Sequence, residues 1–220
     1  MLKSIVLGIF VLVLSSCDLI PTSTPTDPNK AFTLAKLETK KMGTIFSSKL
    51  SGNDSNGVRF TGSFSLANRE QTILDGEPVT PQEYIISFSG GKTSMTYAGT
   101  RFIDTKGNLV SAVVQTTGQT CSPVSPYTMP KTVKIGDFAI LPAMTCSDNT
   151  TQERTWRVED GRNGNINFIT NVAVKNQLNT IVSVADITST IDGEGDIVSF
   201  KIVASEPARN YRITLKVDEL

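Results

Sequence analysis

Whatever chemistry this chain does, it does without histidine. The sequence contains none, which removes Ser-His-Asp and Cys-His catalysis, histidine general bases and ordinary His-containing metal sites. Carboxylates, three cysteines and a few short motifs remain. The 21 acidic residues are scattered over turns and polar faces, and no pair stands out for the two-carboxylate hydrolysis of glycosides. Gly90-Gly91-Lys92-Thr93-Ser94 resembles the end of a phosphate-binding loop. That pattern needs a glycine where Ile86 stands and a helix where Met95-Thr96-Tyr97 continues as strand, so it reads as a hairpin turn. Asp192-Gly193-Glu194-Gly195-Asp196 spaces three carboxylates at alternate positions, as the opening of a calcium loop does. A helix-flanked calcium loop would want Gly and Glu where Ile197 and Val203 stand. A glycine-rich hairpin is the preferred reading, with a calcium site of another kind as the alternative. Val217-Asp218-Glu219-Leu220 looks like a retention tail by chance, and Asn53-Asp54-Ser55 and Asn149-Thr150-Thr151 read as polar turns. No metal or cofactor is expected.

The cysteines have more to say. The chain opens MLKSIVLGIFVLVLSSC: a lone Lys3, an apolar run from Ile5 to Leu14, and small residues before Cys17. This is the three-part pattern of a secretory signal, and its apolar run is too short to cross a bilayer, which takes about 20 helical residues. The ending Leu14-Ser15-Ser16-Cys17 resembles the lipobox of bacterial lipoproteins. The resemblance implies cleavage after Ser16, acylation of Cys17 with palmitate-like chains, and a membrane-anchored place in the cell envelope, facing the periplasm or the exterior. By the same resemblance, Asp18 implies retention at the inner membrane under the sorting rule of enteric bacteria. Cys121 and Cys146 are then an even pair in an oxidising compartment, which predicts a disulfide. Closing a loop of roughly 25 residues, it would contribute about 3.5 kcal/mol in the chain-entropy picture. The rival reading, two free thiols or a soft metal site, lacks histidine support. Cleavage removes only Lys3 from 21 basic residues, leaving 20 against 21 acidic ones. A chain so near neutrality has no strong attraction for nucleic acid or for an anionic membrane surface, so the lipid anchor must hold it to the bilayer.

Three regions position these residues: a signal peptide, 1–16; a lipidated cysteine and flexible tether, 17–30, rich in proline and threonine; and a single β domain, 31–220. Residues 31–42, AFTLAKLETKKM, fit a short helix or a loop feeding the first strand. Beyond them the hydrophobic period is two. Val58, Phe60, Phe64 and Leu66 alternate with polar residues, as do Ile166, Phe168, Val172 and Val174, and Tyr211, Ile213, Leu215 and Val217. Asn56-Gly57, Asp75-Gly76, Lys106-Gly107-Asn108, Asp160-Gly161, Asn163-Gly164 and Asp192-Gly193 punctuate the runs as tight turns. The pattern predicts about ten or eleven strands, near 44–51, 57–67, 83–90, 93–103, 108–117, 132–141, 152–159, 165–175, 178–190, 196–204 and 209–218. An irregular insertion, Cys121 to Pro130, interrupts them. Without long helices between strands, the expectation is an all-β antiparallel meander forming a sandwich, barrel or half-open barrel. Trp156 and Val158 should share one strand face and Arg157 and Glu159 the other, so that Trp156 either anchors the core or lines a ligand cavity. In outline the arrangement is similar to the half-open barrels that handle lipoproteins and apolar ligands in the bacterial envelope. The functional expectation is a non-enzymatic β domain that binds a partner or an apolar ligand. The alternatives are a structural component of an envelope complex and a carboxylate-based carbohydrate enzyme.

Overall fold

A computed structural model describes residues 23–34 and 43–217, which fold as fifteen strands and one 3-10 turn, Pro207–Arg209. In chain order the strands are β1 Phe32–Thr33, β2 Gly43–Asp54, β3 Arg59–Asn68, β4 Thr72–Leu74 and β5 Glu77–Gly90. Then come β6 Thr93–Asp104, β7 Leu109–Val114, β8 Gln119–Pro123, β9 Thr132–Val133 and β10 Phe138–Cys146. The last five are β11 Thr151–Arg162, β12 Asn165–Lys175, β13 Ile181–Ile191, β14 Ile197–Glu206 and β15 Tyr211–Val217. The signal segment, Cys17 and Asp18, residues 35–42 and the last three residues lie outside the described residues.

Twelve strands pair antiparallel in the order β3-β2-β15-β14-β13-β12-β11-β10-β8-β7-β6-β5, and β5 pairs back onto β3, with Phe64 opposite Ile86 and Gly62 opposite Phe88. The sheet is thus a closed antiparallel barrel, the second of the three all-β forms expected. The short β4 extends the wall beside β5, and β1 pairs with β9 as a separate two-stranded sheet. Closure removes the free edges that an open meander would expose.

Residues directly opposite across a ladder share a face, so register carries one parity around the ring. Phe64 faces Ile86, and Ile86 faces Tyr97. Val158 faces Phe168, then Ser189, Phe200 and Val217 in turn. These residues point inward. Ser63, Ser65, Arg157, Glu159, Asn167, Lys201 and Lys216 fall on the other parity and point out. An apolar interior behind a largely polar wall, with Phe138 and Ile140 of β10 as exposed apolar exceptions, is the reverse of a lipid-facing barrel.

Inside, apolar side chains gather in three clusters, the smallest formed by Cys121, Met144 and Cys146. Around β2, β3, β5 and β15 sit Leu50, Phe60, Phe64, Phe88, Leu215 and Val217; Phe64 stacks on Phe200 with ring centroids 4.7 Å apart. Burying each such side chain contributes roughly 1.5–3 kcal/mol. Gly62 allows this packing: a methyl there would meet the Ser87 carbonyl oxygen at 1.9 Å, so only glycine lets β3 lie this close to β5. The second cluster joins Trp156, Val158, Ile166, Phe168 and Ile191 of the wall to Phe32 and Val133 of the small sheet and to Leu34 just after it. That sheet is therefore a plug. It seals the end of the barrel formed by the 104–108, 162–165 and 191–196 turns, here called the floor.

Several expectations change. Asp160-Gly161 is a bulge inside β11, and the turn is Asn163-Gly164, whose φ angles of 52° and 83° suit a two-residue hairpin. Expected strand 108–117 is the shorter β7, and an unexpected strand, β8, follows it at Gln119–Pro123. Cys121 therefore lies on a strand, and the irregular insertion begins after Pro123. Expected strand 132–141 breaks at Gly136, where φ is 93°, into plug strand β9 and wall strand β10. Of the proposed helix or loop, Phe32–Thr33 is strand and residues 35–42 lie outside the described residues. The tether expected through Lys30 is docked from Thr24: Thr24 N donates to Asn163 Oδ1, Thr26 N to Asp160 Oδ1, and the buried Thr26 hydroxyl to the Asn165 carbonyl.

Candidate functional site: the barrel lumen

Twelve strands enclose more space than the eight whose side chains just fill a barrel, and less than the sixteen or more that leave an aqueous channel. The plug occupies the floor end. At the opposite end, the mouth, the 54–58, 90–93, 176–180 and 207–210 turns make the rim. Here the inward residues are not sealed off. Met95 and Tyr97 on β6 point inward yet are 37% and 44% exposed, and Val172, Val174, Ala185 and Ile213 across the lumen are half-buried. Phe88 continues this surface inward, its ring 6.3 Å from that of Tyr97. The mouth is an apolar cup open to water.

Two arginines stand in the same interior. Arg101 is opposite Gln82 on the inward parity of β6, and Arg154 shares the inward parity of β11 with Trp156. Gln82, itself buried, accepts from the Arg101 guanidinium through Oε1 and donates through Nε2 to Asn68 Oδ1 at 3.1 Å. Arg154 Nη2 donates to the Pro142 carbonyl at 3.0 Å, while its Nε is buried with no acceptor. Pro142 interrupts β10 at a bulge, where the 10–11 register shifts between Leu141 and Met144, and this leaves its carbonyl available. Enclosure by the wall pushes the pKa of both guanidinium groups below the usual arginine range, and the charge of Arg101 lowers that of Arg154 further. Arg101 nevertheless keeps an exposed side chain: protein surrounds it, yet water reaches it. Among the described residues no carboxylate pairs with either arginine; the ion pairs are Arg69–Glu83, Arg157–Glu159, Arg162–Asp160, Lys175–Glu153 and Arg209–Glu206.

Tyrosines complete the wall between cup and arginines. The Tyr84 ring lies over Gly99, directly opposite on β6, where an added methyl would strike the phenol oxygen at 2.3 Å. Burial raises the Tyr84 pKa, and Arg101 opposes that rise. Nearer the rim, burial raises the pKa of Tyr97 and Tyr211, and the charges of Glu206 and Asp54 add to the rise.

Cys121 and Cys146 are opposite each other on β8 and β10 and are bonded, with the sulfurs 2.06 Å apart. The disulfide faces the lumen, and Gln152 Nε2 lies 3.4 Å from one sulfur and 3.6 Å from the other. Trp156 does face with Val158, away from Arg157 and Glu159. It is 5% exposed, stacks on Phe168 at 5.4 Å, and donates from Nε1 to the Tyr127 hydroxyl at 3.0 Å. It anchors the plugged end and does not line the open cup.

Gly90 to Thr93 is the expected hairpin turn between β5 and β6. Asp192 to Asp196 is likewise the hairpin between β13 and β14, with Asp192 Oδ1 accepting from the amides of Glu194 and Asp196 at 2.9 Å. Cys17 and the last three residues lie outside the described residues. Two depressions mark the outer surface, one of mixed character on the rim at Thr117–Gln119 and one of about 390 Å³, mostly polar, on the wall between Asn167, Thr188 and Lys201. Of the inward residues named above, only Phe200 borders the second, and neither holds Arg101 or Arg154. Sequence reading missed Arg101 and Arg154, although the signal was there: each sits on the apolar parity of its strand, Arg101 with Met95 and Tyr97, Arg154 with Trp156 and Val158. No protein-family model, curated protein or solved structure matches this chain.

Proposed function

We propose that this chain is a membrane-anchored envelope lipoprotein whose barrel binds an apolar ligand in its open cup and carries out no catalysis. The observation that carries this reading is the pairing of a plugged floor with a mouth where Met95, Tyr97 and their apolar neighbours meet water. Apolar side chains already exposed to water on the inward face lose unfavourable hydration when an apolar ligand covers them. The outer wall is largely polar, although Ile85 on β5 and Phe138 and Ile140 on β10 are exposed on it. The lipobox resemblance at Leu14-Ser15-Ser16-Cys17 supplies the anchor and the envelope location. An environment-sensitive apolar dye should bind purified protein saturably, and Ala185→Trp, which fills the cup, should abolish that binding without unfolding the barrel. Unchanged dye binding in that variant would remove the lumen as the site. Growth with labelled palmitate should mark the wild type and leave Cys17→Ala unlabelled and detached from membranes; equal labelling would end the anchor reading.

A further inference from the structure

Apolar affinity alone does not account for two arginines inside the barrel. A cation enclosed by protein without a counter-charge is costly, and two that repel each other are costlier, unless something anionic is bound between them; here Arg154 is half-buried, and Arg101, ringed by protein, is still reached by water. Neighbouring groups supply only neutral oxygens, Gln82 Oε1 to Arg101 and the Pro142 carbonyl to Arg154. Arg154 keeps a buried Nε–H with no acceptor, and Arg101 keeps a water-reachable face. Such donors fit the planar, two-oxygen edge of a carboxylate or phosphate.

Resting on the lumen-binding reading above, we propose that the ligand is an anionic amphiphile, its carboxylate or phosphate head held between Arg101 and Arg154 and its acyl chain running to the mouth past Met95 and Tyr97. From Arg101 to Met95 the strand rises roughly 20 Å at ~3.3 Å per residue, a span suited to a long acyl chain. Gln82 is a positioning residue: pinned by Asn68, it fixes the Arg101 fork toward the lumen.

The test titrates full-length protein, held in one non-ionic detergent, with three probes: a fluorescent C18 carboxylate, the alcohol of the same chain, and inorganic phosphate. The carboxylate should bind at least tenfold more tightly than the alcohol. Arg101→Gln and Arg154→Gln should each weaken it tenfold or more while leaving the alcohol unchanged. If Arg154→Gln does not fold, Arg154→Lys keeps the charge and should retain part of the preference for carboxylate. Equal affinity for carboxylate and alcohol, unaffected by either variant, would overturn the anionic-head assignment and leave the apolar cup standing. Arginine-dependent binding of phosphate as tight as that of the chain would overturn the amphiphile. Failure of both chains to bind would remove the lumen reading itself.

Discussion

At the scale of single residues, the interior holds a few polar groups that are fixed by one partner each, and these are the sensitive points. Trp156 places its indole N–H on Tyr127, a residue of the irregular loop that leads to the plug. Tyr127→Phe should cost about 1–2 kcal/mol, the penalty for a buried donor left without an acceptor. Urea unfolding followed by the emission of Trp156, the single tryptophan, reads this directly; a loss below a few tenths would mean that water replaces the phenol. The sequence announced Trp156 through its strand parity. It could not announce Tyr127, because a partner 29 residues away in a proline-rich loop leaves no periodic trace. Arg101 and Arg154 were legible in principle, each a cation on the buried phase of an alternating strand. Their lack of carboxylate partners was not, since it depends on which strands the closure of the ring brings across the lumen.

At the scale of elements, alternation made most wall strands visible, and Asx-Gly pairs marked their turns. What the local pattern could not give is the pairing of β5 back onto β3, on which the choice between barrel and sandwich depends, because that contact skips the β4 hairpin. β8 was hidden for a different reason: Pro123 and the prolines after it look like loop, yet Pro123 closes the strand and needs no further ladder donor. The plug was hidden as well, since β1 and β9 have two residues each and acquire strand geometry only from one another. Phe32 is 1% exposed within it, so Phe32→Ala should lose about 3–4 kcal/mol and free the docked segment for proteolysis near Lys30. Limited proteolysis beside a urea titration would separate local release from global unfolding. Hairpin turns carry the acid response. Burial alone would raise the Asp104 pKa, but hydrogen bonds from Asn108 and Lys106 outweigh it and hold the carboxyl below its usual range; Gln119 and Thr150 do the same for Asp148. A pKa lowered in the folded state contributes stability that is complete above the unfolded value of about 3.9 and disappears as pH falls through the lower folded value. Melting temperature should therefore fall below about pH 4, and less steeply in Asp104→Asn, the slope difference being read by calorimetry.

For the whole molecule, closure, plug and disulfide act together, and the Cys121–Cys146 bond ties the five-residue β8 to the nine-residue β10. Cys121→Ser with Cys146→Ser should lose about 3.5 kcal/mol in the chain-entropy picture for a loop of sequence separation 25, measured as a lower urea midpoint with a slope equal to or steeper than wild type, since the unfolded chain without its cross-link exposes more surface. A shallower slope would instead point to a native wall that has opened. Docking of Thr24 and Thr26 against the 162–165 turn also sets an orientation. Between Cys17 and Thr24 the chain reaches at most about 25 Å even when fully extended. A strand of 12 residues such as β6 rises roughly 30 Å along the barrel axis at the usual tilt. On the proposed acylation of Cys17, a leash of that length would end near the floor and be too short to wrap to the rim, so the barrel would stand on its membrane like a cup on its base. A ligand of the proposed lumen would then enter and leave on the aqueous side and not from the leaflet that holds the protein.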